Sequence, residues 1–248
     1  MSDWQVEQLR LTVFPLQDLR EPTPDWWSKV VGTEPEIKTV QKGVGIREAG
    51  PIRNGYCNLV LQVQGPRIDW LAVAVNKGEP LKGFLTFDTV KGAVAVFREL
   101  LDPWVKDVAP FKRIGLGAVL VMPVENREVG YRTVSRYLPA VKLDPSVSSD
   151  FSYSINRPRP SKSGIDGLKV NRLSRWSVVQ VQEFQVQGTV PGGVALVEGA
   201  ADFQAVRVEL DVNTAAERND ALPQDRQLSV FHELTGLVEE IAARGDVP

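Results

Sequence analysis

A chain of 248 residues, 43% hydrophobic and 24% charged, has the composition of a globular protein large enough to bury a core without staples. Its 29 Lys and Arg against 31 Asp and Glu exclude a chain-wide field for polyanions, and one cysteine excludes an internal disulfide framework and suits a reducing compartment. No apolar run approaches the roughly 18 residues that span a bilayer, and MSDWQVEQLRL has no basic-then-apolar leader, so a cytoplasmic protein with no membrane partner is expected.

In chain order, the first predicted element is a strand over Val6–Phe14. A short helix follows around Trp26–Val31, then strands near Ile37–Ile46, Tyr56–Gln64, Ile68–Val75 and Leu81–Phe87, and a long helix from Asp88 to Lys106. Asp88 or Thr89 is placed to cap that helix, and Pro103 should bend or shorten its last turn. At VAPFKR (Val108–Arg113) a proline ends the helix and a new strand begins. The second series comprises a strand over Arg113–Met122, a short helix around Val129–Tyr137, strands near Phe151–Ile155, Arg175–Val186, Val194–Glu198 and Phe203–Val212, and a helix over Gln224–Arg244. In VRVELDVN, Val206, Val208, Leu210 and Val212 alternate with Arg207, Glu209 and Asp211, which predicts one covered face and one wet face.

Each series reads β-α-β4-α. The predicted fold is therefore α+β, with two tandem units over residues 1–109 and 110–248 packed as one globular body, each an antiparallel sheet covered by a long helix. Three short matches in the same order suggest a diverged internal duplication: LTVFP (Leu11–Pro15) with VLVMP (Val119–Pro123), LQVQ (Leu61–Gln64) with VQVQ (Val179–Gln182), and VFREL (Val96–Leu100) with VFHEL (Val230–Leu234). This element order resembles the duplicated, saddle-like arrangement of the TATA-binding-protein fold class and its helix-grip relatives, and the resemblance implies fold rather than function. The segments PDWW, PRIDW (Pro66–Trp70), ELDVNT (Glu209–Thr214) and LPQD, followed by a terminal helix ending in Gly-Asp, are similar to a sporadically distributed family of bacterial proteins of unknown function. That resemblance implies a mobile-element or antiviral-defence setting.

Reactive groups are scarce. His232, the only histidine, falls off the apolar stripe of Phe231, Leu234, Leu237, Val238 and Ile241, so it is expected to point to solvent and carry no chemistry. Cys57 opens an apolar strand far from it, which leaves no Cys–His pair. Asp202, Glu209 and Asp211 alternate with valines and read as a solvated strand face before they read as catalytic carboxylates or metal ligands. GLG (Gly115–Gly117) and GVG (Gly43–Gly45) lack the helix that a dinucleotide site needs and predict bulges or close backbone approaches; TVPGGV predicts a hairpin turn. No catalytic residue, cofactor or metal site is predicted.

Two features remain as candidate contacts. Residues 151–176 carry Arg157, Arg159, Lys162, Lys169, Arg172 and Arg175 against Asp166 alone, a local +5 (6 − 1) partly on a Pro/Ser/Gly-rich loop. Six tryptophans exceed ordinary core needs, and the adjacent Trp26 and Trp27 cannot both face one core, so one is a candidate to cover an edge, line a pocket or meet a partner, with packing between the two halves as the favoured use. The leading functional expectation is a non-catalytic binding or assembly protein with a protein partner or itself. The alternatives are single-stranded nucleic-acid binding through residues 157–175, and a carboxylate-based enzyme or helix-grip ligand carrier.

Overall fold

The computed structural model describes residues 4–17, 19, 25–76, 83–189, 195–217 and 220–246, with 183–189 and 195–201 as backbone. Among these residues the chain is α+β, with four helices on a large antiparallel sheet. The first half supplies β1 (Gln5–Pro15), α1 (Trp26–Val31), β2 (Ile37–Gln41), β3 (Gly45–Ile52), β4 (Cys57–Gln64), β5 (Arg67–Val73), the two-residue β6 (Asp88–Thr89) and α2 (Val90–Asp107). The second supplies β7 (Phe111–Val124), α3 (Arg127–Tyr137), β8 (Ser152–Asn156), the two-residue β9 (Arg159–Pro160), β10 (Lys169–Thr189), β11 (Ala195–Thr214) and α4 (Gln224–Arg244).

One sheet runs β2-β3-β4-β5-β1-β7-β11-β10-β8, with β6 beside β1 and β9 beside β10. The two expected sheets are thus one, because β1 and β7 pair antiparallel at its centre, Leu11 opposite Leu116. Alternation decides which side is covered. Leu9, Leu11 and Val13 of β1, Ile114, Leu116 and Leu120 of β7, and Val206, Val208 and Val212 of β11 are buried in a common core with residues of α2 and α4. α2 packs on β1, and α4 on β7 and β11.

The long helices lie antiparallel. The Gln224 amide at the start of α4 donates to the Lys106 and Val108 carbonyls, 2.8 and 3.0 Å away, and so satisfies acceptors that the end of α2 leaves free. Thr89 caps α2, accepting from the Gly92 N–H, as its sequence position predicts. Pro103 does not shorten that helix, which continues to Asp107; the buried Trp104 and Val105 hold the last turn against the core.

Other boundaries moved for local reasons. The single strand expected over Ile37–Ile46 is the hairpin β2–β3. It turns at Gly43 in the left-handed region (φ 75°), and Gly45 lies so close to the Val63 carbonyl that a side chain there would collide with it. In the expected strand Leu81–Phe87, Leu81 lies outside the described residues and 83–87 form no strand; the ladder partner of β1 is β6. The strands expected over Val194–Glu198 and Phe203–Val212 are the continuous β11: the register against β10 shifts between Ala200, opposite Phe184, and Val197, opposite Val186, so the gap expected there is a ladder irregularity at Glu198 and Gly199 rather than an end of the strand. In TVPGGV, residues 190–194 lie outside the described residues.

The tryptophans form two clusters. Trp27 stacks on Trp70 (6.4 Å), Trp70 meets Trp104 edge-on (5.7 Å), and Trp26 meets Trp104 edge-on (5.5 Å). Trp26 and Trp27 thus both pack on one core, contrary to expectation, because Trp26 meets Trp104 of α2 while Trp27 reaches Trp70 of β5. Trp4, Trp176 and Tyr137 form the second cluster. No helix among the described residues is long and apolar enough to cross a membrane.

Phe97 and Phe231, from the middles of α2 and α4, are both buried. Phe97→Ala and Phe231→Ala should each lower the unfolding free energy in urea by about 3–5 kcal/mol, whereas Val44→Ala at the exposed β2–β3 turn should change it by less than about 0.5 kcal/mol.

Candidate binding surface

The conventional reactive groups are set into structural positions. His232 is not a free surface residue as the apolar stripe implied: its Nε2 lies 2.9 Å from both carboxylate oxygens of Asp102 on α2. A helical stripe locates the core but not a neighbouring helix that flanks it. Beside this pair, Arg98 donates to the Thr235 hydroxyl (2.6 Å) and to the His232 carbonyl (2.8 Å), so the two helices are tied side chain to backbone. Cys57 is buried in β4, and desolvation pushes its thiol up to about 12, which keeps it protonated.

The basic segment is a strap along α4. Arg157 forms a two-pronged pair with Asp246 (2.5 and 2.8 Å). Arg159 lies 3.5 Å from Glu240 and 3.7 Å from Glu233. Glu233, nearly buried, also accepts from the Ser161 hydroxyl (2.5 Å) and the Lys162 backbone N–H (2.9 Å). Arg172 is buried and donates to the Arg157 carbonyl (3.0 Å); desolvation lowers its pKa from the usual arginine value. Lys162 and Lys169 extend into solvent, while Arg175 stands on a different surface, 3.6 Å from Glu209. The positive charge of this segment is therefore divided: Arg159 faces acidic groups of α4 and Arg157 the Asp246 carboxylate just beyond its end, partners whose spacing is not visible in the local sequence. Of the two candidate tryptophans, Trp27 is 1% exposed and Trp26 is half-buried against Trp104.

The face of the sheet opposite the helices is also charged. Here the VRVELDVN reading holds: the valines and Leu210 are buried, while Arg207, Glu209 and Asp211 face away from the core. Arg207 reaches Glu7 (3.2 Å) and Glu209, Asp211 accepts from Asn213 (2.9 Å), and Arg113 donates to the Asn213 side chain (3.0 Å) and lies over the Phe14 ring. On β5, Asp69 takes the Thr12 hydroxyl (2.6 Å) and Arg67 (2.6 Å). Both glycines of GLG lie on this face as close approaches, Gly115 against the Asn213 side chain and Gly117 beneath the Arg10 guanidinium. Between β1, β7, β11 and β10 the face sinks into a basin of about 370 Å³, lined by Gln8, Arg10, Gly117, Arg175, Arg207 and Asp211 among others. No motif marks Arg10 in the sequence; its only signal is a charged residue at an outward position of a strand whose antiparallel partner carries a glycine there.

Among the described residues, no three His, Cys, Asp or Glu side chains come together as a metal would require. No protein-family model matches the chain, and no curated protein or solved structure is similar to it.

Glu233→Ala should remove charge-assisted bonds worth about 1.5–3 kcal/mol in total and release the strap, seen as faster hydrogen exchange at the Lys162 amide with α4 still protected. At the helix seam, His232→Ala removes a partly exposed pair and should cost about 0.2–1 kcal/mol in a urea titration, whereas Arg98→Ala, which takes the charged donor from the buried Thr235 hydroxyl and one of the donors from the His232 carbonyl, should cost more, about 1–3 kcal/mol.

Proposed function

We propose that the chain is a non-catalytic binding protein that engages a macromolecular partner through the face of its sheet that no helix covers. The observation that carries this reading is the distribution of contacts: the core with α1, α2, α3 and α4 lies on one side, and the other side presents arginines and carboxylates in register across β5, β1, β7, β11 and β10. What distinguishes this face from an ordinary solvated one is the basin at its centre, lined by Arg10, Arg175, Arg207, Glu209 and Asp211 among others. The second reading, nucleic-acid binding through residues 157–175, draws less support, because the guanidiniums of Arg157 and Arg159 are already opposite Asp246, Glu240 and Glu233.

The same proposal takes residues 1–109 and 110–248 as diverged copies of one β-α-β4-α unit, in the manner of the TATA-binding-protein class. The strand order β2-β3-β4-β5-β1 on one side of the centre and β8-β10-β11-β7 on the other supports it. So do VFREL and VFHEL, each beginning at the seventh residue of its helix, counted from Val90 and from Gln224. The strand matches do not help: Leu11 and Val13 belong to the core, whereas Val121 lies outside it, so LTVFP and VLVMP are one residue out of phase. LQVQ and VQVQ are offset in the same way, since Leu61 and Val63 are core residues and on β10 it is Val178, not Val179, that packs on the core.

A photo-crosslinking amino acid at Leu71 or Gln62, on the uncovered face, should yield a discrete adduct in the native host, and the same residue at Lys91 on the outer surface of α2 should not. Adducts from Lys91 with none from Leu71 and Gln62 would place the partner on the helical layer and overturn the proposal.

A further inference from the structure

The basin on the uncovered face contains one guanidinium that forms no ion pair among the described residues. The register of β1 and β7 sets Arg10 opposite Gly117, and with no side chain there the guanidinium lies down over the strand, 3.5–3.6 Å from where a Cβ of residue 117 would stand. Arg10 is half-buried, its Nε is shut off from solvent without a hydrogen-bond partner, and none of its nitrogens forms an ion pair among the described residues. The nearby acids are engaged elsewhere: Glu209 by Arg207 and Arg175, Asp211 by the Asn213 amide. A guanidinium held in this way keeps a desolvation cost that an external anion would offset.

We propose that this basin binds a glutamate or aspartate side chain from an acidic segment of the partner protein, with the carboxylate received by Arg10. This assignment rests on the uncovered face being the binding surface. The lining charges choose the anion. Arg207 is held by Glu7 and Glu209, and Arg175 by Glu209, so Arg10 is the one lining guanidinium without an ion-pair partner among the described residues, which matches a single carboxylate. A phosphate near two negative charges would be repelled by both Glu209 and Asp211. A carboxylate is also flat, as a guanidinium is, and the two meet through paired N–H···O bonds that a lysine cannot reproduce.

The probe is a tetraglutamate peptide blocked at both ends, titrated into the full-length protein by calorimetry and by the ¹⁵N–¹H resonance of the Arg10 Nε–H group. A saturable shift of that resonance is expected, with none from blocked tetraglutamine. Arg10→Gln, and independently Gly117→Leu, which fills the basin and leaves the charge in place, should each weaken binding by about tenfold or more, and Arg10→Lys should not restore it. Arg47→Gln, on the same face but distant on β3, should change it by less than about twofold. Absence of a saturable shift, an equal loss on Arg47→Gln, or displacement of the peptide by inorganic phosphate or oligothymidylate at lower concentration would each overturn the assignment. Leu71 crosslinks that survive such a result would leave the face as the docking surface and remove only the carboxylate; loss of both would remove the surface itself.

Discussion

Everything in this molecule hangs on the antiparallel pairing of β1 with β7. It joins strands from the two halves of the chain into one sheet, and it sets α2 and α4 side by side on the same surface. From that follow the seam in which Arg98 and His232 meet the opposite helix, and the clear division between a covered and an uncovered face. It also sets the register that leaves Arg10 above a glycine. A slip of one residue in this pair would turn Leu9, Leu11 and Val13 to water, so the hydrophobic pattern fixes the register as firmly as the hydrogen bonds do.

Alternation and helical periodicity carried much of the fold. β1, β4, β5, α1, α2, α3 and α4 lie close to where their apolar spacing puts them, and the outward row Arg207, Glu209, Asp211 is where VRVELDVN places it. Failures came where a local signal met a tertiary one. Two strands are expected, one on either side of Gly199, yet β11 is one strand whose ladder with β10 only shifts register there. Trp26 and Trp27 point in different directions on a helical wheel, but α1 has two neighbours to receive them.

The candidate site was legible in part. Its acidic and basic row is written in one strand, so a period of two is enough to find it. Arg10 is not, because its significance depends on residue 117 being glycine and on the surrounding acids having other partners, facts held in three strands distant in sequence. The basic segment failed in the opposite sense: its charge is obvious in sequence, while the Glu233, Glu240 and Asp246 that meet it are spread along and just past a helix some 70 to 90 residues later.

The central position of β1 has a consequence for how the protein is made. During synthesis β1 emerges early, and its neighbour on one side, β5, follows within the same half; its neighbour on the other side, β7, is complete only when Val124 has left the ribosome. Until then the strand that ends at the middle of the sheet is an edge, with its outer backbone groups open to any other extended chain. Closure waits on contacts between residues more than a hundred positions apart, such as Gln5 with Val121, which is the kind of topology that folds slowly. The nascent first half is therefore the species most exposed to mispairing, and a chaperone acting on this protein has most to shield between the emergence of β5 and that of β7.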